Sequence, residues 1–160
     1  MSNFVPVDYT REAIVQYCTK EEANTYHGLT LRGKEWSETS DGDKDLALYQ
    51  ATLSINGLRY AGYKTVATQG NQFPRNGSSQ IPDDIKEACM EIALCLIQGV
   101  HPDLEVIQAG FEVSTVVSAR VAKNPDRTPV WILSGIPSLS AWQKLIPYLD
   151  DGLGVSLARV

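Results

Sequence analysis

The side chains best suited to nucleophilic or acid–base chemistry are two histidines and three cysteines. His27 stands at the end of a predicted helix, where a cation is favoured, and His101 lies in a predicted turn. The odd number and unpaired spacing of the cysteines argue against a disulfide framework, so we interpret them as buried thiols. Neither a GxSxG elbow nor a local cysteine signature is present. The sequence therefore predicts a protein without enzymatic activity. The cysteines are Cys18, Cys89 and Cys95.

Two stretches have part of the pattern of a ligand-binding loop. The run from 28 to 34 matches GxxxxGK, but Glu35 follows where a nucleotide-binding loop has the Ser or Thr that holds Mg²⁺. Asp41, Asp43 and Asp45 alternate as in a calcium loop, but the positions of its glycine and its last acidic ligand hold other residues. We interpret these aspartates as residues that favour the start of a helix capped by Ser40.

One pair of carboxylates has helical spacing. Glu87 and Glu91 are one turn apart, which could serve a metal site or acid–base chemistry. Because no histidine stands at a matching position on that helix, we interpret the pair as a solvated or intersubunit polar stripe. The sequence predicts no metal and no cofactor.

Aromatic and basic residues alternate in one part of the chain. Proteins that bind single-stranded DNA stack bases on aromatic rings that are interleaved with Lys and Arg. The alternative is that these rings are core or subunit-contact anchors. The net charge of −5 and a pI near 5.0 favour the alternative, because phosphate binding needs positive charge. The residues concerned are Tyr60, Tyr63, Lys64, Phe73 and Arg75.

Composition and patterning predict how these residues are positioned. With 160 residues, of which 43% are hydrophobic and 21% charged, the chain suits one folded domain. It has no apolar run of membrane-spanning length, and its N-terminal residues do not have the pattern of a signal peptide. Helices are predicted over about 20–27, after a cap at Thr19, and over 40–60 and 82–99. A fourth begins at Ser138 or Ser140 and is expected to end early because Pro147 strains it. A long polar loop is predicted over 61–80.

The expected fold is mainly α, in the α+β class, with a bundle of three to four helices. In the second helix, Leu46, Tyr49, Leu53, Gly57 and Tyr60 form the predicted apolar stripe. Leu48 and Ile55 add a flank, so a good part of the circumference is apolar. We expect an extended lead-in over 1–18 and a helical body over 19–100. Residues 101–160 are expected to add a β-rich insertion, including a strand over 111–121, then the last helix and a C-terminal arm, in one domain with the body.

An ordered set of segments carries a family resemblance that extends from about Tyr17 to Val160. It resembles a family of small tailed-bacteriophage proteins, the head–tail adaptor (connector or head-completion) proteins, of which one branch is labelled DnaT-like single-stranded-DNA-binding protein. The segments are YCTKEEANTYH, DKDLALYQATLSINGLRYAGYKT, FPRNG, IPDDIKEACMEIALCLIQG and LIPYLDDGLGVSLARV.

The resemblance implies a structural virion protein in the neck between capsid and tail. Such adaptors form a ring, usually of twelve copies, under the portal protein and present a platform to a tail or nozzle protein. Packaged double-stranded DNA would pass through the channel without specific binding, and an acidic lining would repel its phosphates. The alternative function is a single-stranded-DNA-binding replication accessory of the DnaT-like type.

The resemblance also implies which residues make docking contacts. In the FPRNG motif, Pro74 is expected to fix the turn, Phe73 to fill a pocket, and Arg75 to pair with a carboxylate or a backbone carbonyl. Trp131 and Arg159, in the apolar segment and the C-terminal arm, complete the expected interface set.

Overall fold

The structure, a computed structural model, describes residues 13–104 and 129–150. These residues are mainly helical and contain no sheet, which confirms the mainly α fold class. The strand predicted over 111–121 and the C-terminal arm lie outside the described residues. The elements are α1 (Lys20–Gly28), α2 (Gly33–Ser37), α3 (Asp41–Asn56), α4 (Asp83–Ile97), α5 (Val130–Leu133), α6 (Leu139–Leu145) and a 3₁₀-helix (Ile146–Tyr148).

Three helices begin at hydroxyl caps that the sequence predicts. Thr19 accepts a hydrogen bond from the Glu22 amide at 3.1 Å, and Ser40 accepts one from the Asp43 amide at 3.3 Å. Ser138 caps α6 in the same way. Each cap satisfies an amide that has no partner within its helix, so the caps fix where the helices start.

Helix α4 is the centre of the core. It packs against α3 and α6, and α1 and α2 also contact it. Ile85, Cys89 and Ile92 are fully buried, as the sequence predicts. Burial around most of its circumference explains why α4 is apolar on more than one face.

Helix α3 turns a different face to the core than the sequence predicts. The predicted stripe is wrong for Leu46, Tyr49 and Leu53, which are 63%, 41% and 40% exposed. Its predicted flank, Leu48 and Ile55, is fully buried. The helix ends at Asn56, so Tyr60 lies beyond it. The buried face contains small residues beside large apolar ones. These buried residues are Lys44, Ala47, Leu48, Ala51, Thr52 and Ile55.

Two short helices lie in segments predicted as irregular. The connection after α1 contains α2, where Trp36 is 1% exposed and donates from Nε1 to Asn24 Oδ1 at 2.8 Å. The apolar segment at 130–133 is α5. As predicted for Pro147, α6 ends at Leu145 and continues only as a 3₁₀ turn.

Candidate nucleic-acid interface

The loop predicted over 61–80 is present between α3 and α4, and its two arms are paired. An antiparallel bridge joins Lys64 to Arg75. The Thr65 amide donates to the Pro74 carbonyl at 3.1 Å, and the Asn76 amide donates to the Tyr63 carbonyl at 2.8 Å. Pairing of this kind gives a long loop a defined surface. We call residues 59–77 the loop platform.

A tight turn ends the second arm. Asn76 and Gly77 both have positive φ, as in a type I′ turn, and the Ser78 amide donates to the Arg75 carbonyl at 3.1 Å. The Asn76 side chain then accepts from the Tyr63 amide at 3.1 Å. It lies so close to Gly62 that a Cβ there would be 1.9 Å from Asn76 Oδ1. Gly62 is therefore required both by its φ of +80° and by this close approach.

Arg75 holds the platform together from beneath. Its guanidinium donates to the carbonyls of Ala61 and Gly62, at 3.1 and 2.9 Å, and to both the carbonyl and the side chain of Gln72. These acceptors are neutral, so they orient the guanidinium without cancelling its charge. Of the two partners predicted for Arg75, a carboxylate or a backbone carbonyl, the structure shows backbone carbonyls.

Gln69 organises the tip of the platform. Only 8% of the residue is exposed, and its side chain accepts from the Val66 amide at 3.0 Å. The same side chain donates to the carbonyls of Asn71 and Pro74, both at 2.9 Å. A buried amide with this many partners rigidifies the backbone around it.

Tyr17 ties the platform to the helical body. Its hydroxyl accepts from the amides of Gln72 and Phe73, at 3.1 and 3.2 Å, and donates to Asn56 Oδ1. Burial raises the pKa of Tyr17 to about 12. The Phe73 ring is 3% exposed and packs edge-on against three tyrosines, one of them Tyr60. Phe73 thus fills an internal pocket of its own chain, and its docking role stays a prediction.

The outer surface of the platform carries the groups that remain accessible. Tyr63 is 64% exposed, whereas Tyr60, predicted with it as a stacking ring, is 7% exposed and belongs to the core. Lys64 is half-buried, with Nζ 3.4 Å from the Gln69 carbonyl. Arg59 is exposed at the start of the platform. The accessible groups of the platform thus include one aromatic ring, Tyr63, one exposed cation, Arg59, and one half-buried cation, Lys64.

The charge of this region is opposite to that of the whole chain. Residues 46–82 contain no Asp or Glu but hold three basic residues, Arg59, Lys64 and Arg75. The other residues hold 11 Lys and Arg against 19 Asp and Glu. Neither the composition of the whole chain nor the net charge of each half of it shows this contrast. A sliding count of acidic residues along the sequence would have found it.

The carboxylate pair on α4 differs from its prediction. Glu91 is 9% exposed, so the expectation of a solvated stripe is wrong for this residue. It accepts a hydrogen bond from Tyr26 Oη at 2.7 Å and lies 3.9 Å from Arg32 Nη1. Glu87 pairs with Lys144 Nζ at 2.6 Å, and this hydrogen bond raises the pKa of Lys144. Both carboxylates therefore link separate parts of the fold.

His27 is buried rather than cationic. It is 1% exposed, between the rings of Tyr26 and Trp36, and its Nε2 is 3.1 Å from the Met90 carbonyl. Because a carbonyl only accepts, Nε2 carries the proton and Nδ1 is bare. Nδ1 has no hydrogen-bond partner among the described residues. Burial lowers the pKa of His27, so the prediction of a favoured cation at this helix end is wrong.

The remaining candidates have structural surroundings. All three cysteines are buried and free, as predicted. The GxxxxGK stretch joins α1 to α2 and does not follow a strand. Trp131 packs partly buried against the core, and Arg159 lies outside the described residues. Within 13–104 and 129–150, no group of three His, Cys, Asp or Glu side chains could hold a metal ion. None of the helices there has the length and apolarity to cross a membrane.

Comparison with known proteins decides the family. The family described as "Putative DnaT-like ssDNA binding protein" matches residues 13–117, about two thirds of the chain. The chain belongs to this family. The match confirms the DnaT-like branch of the resemblance noted from the sequence, and it carries no support for the head–tail adaptor assignment. The part of the DnaT-like match that the structure describes includes α1 to α4 and the whole loop platform. No curated protein and no solved structure matches the chain.

Proposed function

We propose that this protein binds single-stranded DNA and that the loop platform is its contact surface. The observation that carries the proposal is the acid-free stretch 46–82, which places three cations and an exposed aromatic ring, Tyr63, on one ordered loop. Family membership supports the same ligand. In this arrangement a base stacks on Tyr63, and Lys64 and Arg59 lie near the backbone phosphates.

The acidity of the whole chain does not oppose such contact as strongly as the net charge suggests. At physiological salt the Debye length is about 8 Å, so carboxylates far from the platform are largely screened from a bound phosphate. Beside the platform itself, the three cations outnumber one adjacent acidic residue, Asp150, whose amide donates to the Arg59 carbonyl at 3.1 Å. Because only three cations are available, we expect weak binding with a shallow salt dependence.

Fluorescence anisotropy of a labelled oligothymidylate of about 20 nucleotides tests the proposal. For the two phosphate contacts of Lys64 and Arg59 the slope of log affinity against log salt should be about −1.4, since each contact contributes about −0.7 on single strands. Tyr63→Ala should weaken binding by roughly 5- to 150-fold, because stacking contributes about 1–3 kcal/mol per base. Lys64→Gln should weaken binding and reduce the slope by about 0.7.

Matched controls exist outside the platform. Tyr49→Ala removes an exposed tyrosine of α3, and Lys34→Gln removes an exposed lysine of α2. Both should leave the affinity unchanged. The proposal is overturned if the wild-type chain does not bind at low salt, or if the control variants lose as much affinity as the platform variants.

A second candidate function is the head–tail adaptor role that the sequence resemblance implies. We propose it as the alternative because several large apolar side chains are exposed, as on surfaces that contact other proteins. They include Leu29, Leu31 and Leu46. In this role the chain would form a ring, with the portal and a tail or nozzle protein as partners, in the virion neck.

Quantitative mass spectrometry of purified virions separates the two functions. A copy number equal to that of the portal protein, or in simple ratio to it, would support the adaptor role. Absence of the chain from virions, together with abundance in infected cells, would eliminate the adaptor role and leave DNA binding as the function.

A further inference from the structure

The turn between α1 and α2 presents two apolar side chains to solvent. Leu29 is 87% exposed and Leu31 is fully exposed, at 103% of its reference area. They flank Thr30, which is held in the turn by hydrogen bonds to the His27 carbonyl. The backbone of this turn is therefore ordered while its leucines protrude. We call Leu29, Thr30 and Leu31 the leucine tip.

A groove with a partly apolar lining lies beside α3. Its volume is about 440 Å³, and it runs between the start of α3 and the end of α4. Leu46, Ala47, Leu96 and Ile97 contribute the apolar part of the lining. Polar side chains line the rest, two of them acidic, and these are Glu38, Thr39, Ser40, Asp43 and Gln50. On α3 the apolar surface continues from Leu46 to the exposed Tyr49 and Leu53.

The net charges next to the two features differ in sign. Arg32 and Lys34 follow the leucine tip together with one carboxylate, Glu35, and both Lys34 and Glu35 are exposed. Arg32 remains partly exposed, although its guanidinium also donates to Gln98 Oε1 at 2.7 Å. The groove bears Glu38 and Asp43, both exposed. A specific protein contact requires apolar side chains that the partner can bury and complementary charges at the edge of the contact.

We propose that the leucine tip of one copy inserts into the α3 groove of a second copy of this chain. The tip supplies the anchors, the groove buries them, and Lys34 of one copy approaches Glu38 of the other. Two leucines and the α3 stripe make a contact at the small end of specific interfaces. We therefore expect reversible self-association in the micromolar range. The proposal does not depend on DNA binding, and its tests contain no nucleic acid.

Sedimentation velocity of the full chain, over a concentration series from micromolar to millimolar, gives the first test. The wild-type chain should associate as concentration rises, and Leu31→Ser and Leu46→Ser should each shift association to at least 10-fold higher concentration. Leu133→Ser removes a leucine that is 55% exposed on α5, outside both features, and should have no effect. All three leucines are exposed, so thermal unfolding should confirm that each variant is folded.

A charge-reversal pair tests the specific contact in trans. Lys34→Glu and Glu38→Lys should each be monomeric alone, because each brings like charges together at the tip–groove edge. An equimolar mixture should associate, because the acidic tip of the first variant then meets the basic groove edge of the second. A wild-type chain that stays monomeric over the whole series overturns the proposal. So does a mixture that stays monomeric, or equal dissociation by Leu133→Ser.

Discussion

At the residue scale, the loop platform depends on a few side chains that satisfy backbone groups. Arg75 collects carbonyls from both arms, Gln69 fills the tip, and Tyr17 holds the Gln72 and Phe73 amides. Each of these side chains compensates polar backbone that is removed from water, which would otherwise cost about 1–3 kcal/mol per group. A polar loop of this length is therefore ordered without a sheet or a helix of its own.

Gly62 gives the sharpest single-residue prediction. We expect Gly62→Ala to lower the free energy of unfolding by about 1–3 kcal/mol, because the new Cβ meets Asn76 Oδ1 and an alanine is strained at positive φ. Gly28→Ala is the matched control: its Cβ meets nothing within 4 Å, so its effect should stay within about 1 kcal/mol. Urea unfolding of both variants measures the difference. Equal effects at the two glycines would contradict the close approach.

At the element scale, the two faces of α3 have separate roles. Its buried face packs against α4, while Leu46, Tyr49 and Leu53 remain available on the other side. Apolar residues recur at helical spacing on both faces, so the amphipathic pattern alone could not show which face is buried. The face that is buried in the structure combines the small residues Ala47 and Ala51 with Leu48 and Ile55.

A pair of leucines on α3 tests this orientation. Leu48→Ala should lower the free energy of unfolding by about 2–5 kcal/mol, because Leu48 is fully buried and its truncation leaves a cavity. Leu46→Ala, two residues earlier on the same helix, should change it by less than about 0.5 kcal/mol. Chemical denaturation of the two variants compares the faces directly. A larger loss at Leu46 would mean that the predicted stripe, and not the observed one, faces the core.

At the scale of the whole molecule, buried ionisable groups couple stability to pH at both ends of the range. Towards low pH the group concerned is His27, which is buried with a lowered pKa. Towards high pH they are Tyr17, Tyr26 and Tyr60, whose pKa values burial raises. Each group is neutral when the chain is folded, and each becomes charged more readily when the chain unfolds.

For His27 the loss of stability should come on acidification. Below about pH 6.5 the unfolded chain binds a proton that the folded chain does not, so the free energy of unfolding falls with pH, by at most about 1.4 kcal/mol per unit for one proton. Urea unfolding at several pH values from about 7.5 to 5 should show this slope. His27→Gln should flatten it and His101→Gln should not. A slope unchanged by His27→Gln would contradict a neutral buried imidazole.

For Tyr17 the loss should come in alkali. Between its unfolded pKa near 10 and its folded pKa of about 12, the unfolded chain releases a proton first, so stability falls as pH rises. The fall between about pH 10 and 11 should be about 1 kcal/mol smaller in Tyr17→Phe than in the wild-type chain. Denaturation at these two pH values gives the comparison. An identical fall in the two proteins would mean that the Tyr17 hydroxyl ionises as readily when folded as when unfolded.

The sequence by itself determined the four longer helices, α1, α3, α4 and α6, and where each of them begins. Hydroxyl caps at Thr19, Ser40 and Ser138, the strongly apolar α4 and the stop near Pro147 act within a few residues of the chain, so they could be predicted locally. The polar loop over 61–80 could be predicted for the same reason, and so could the burial of the three cysteines.

Only the tertiary structure decided which side chains face in and which face out. The exposed face of α3, the burial of His27 and Glu91, and the separation of Tyr63 from Tyr60 each depend on a neighbour distant in sequence. Glu91 is buried because Tyr26 and Arg32 reach it, and Tyr60 is buried against Phe73. The free energy that selects these arrangements comes from packing between elements, which no local pattern contains.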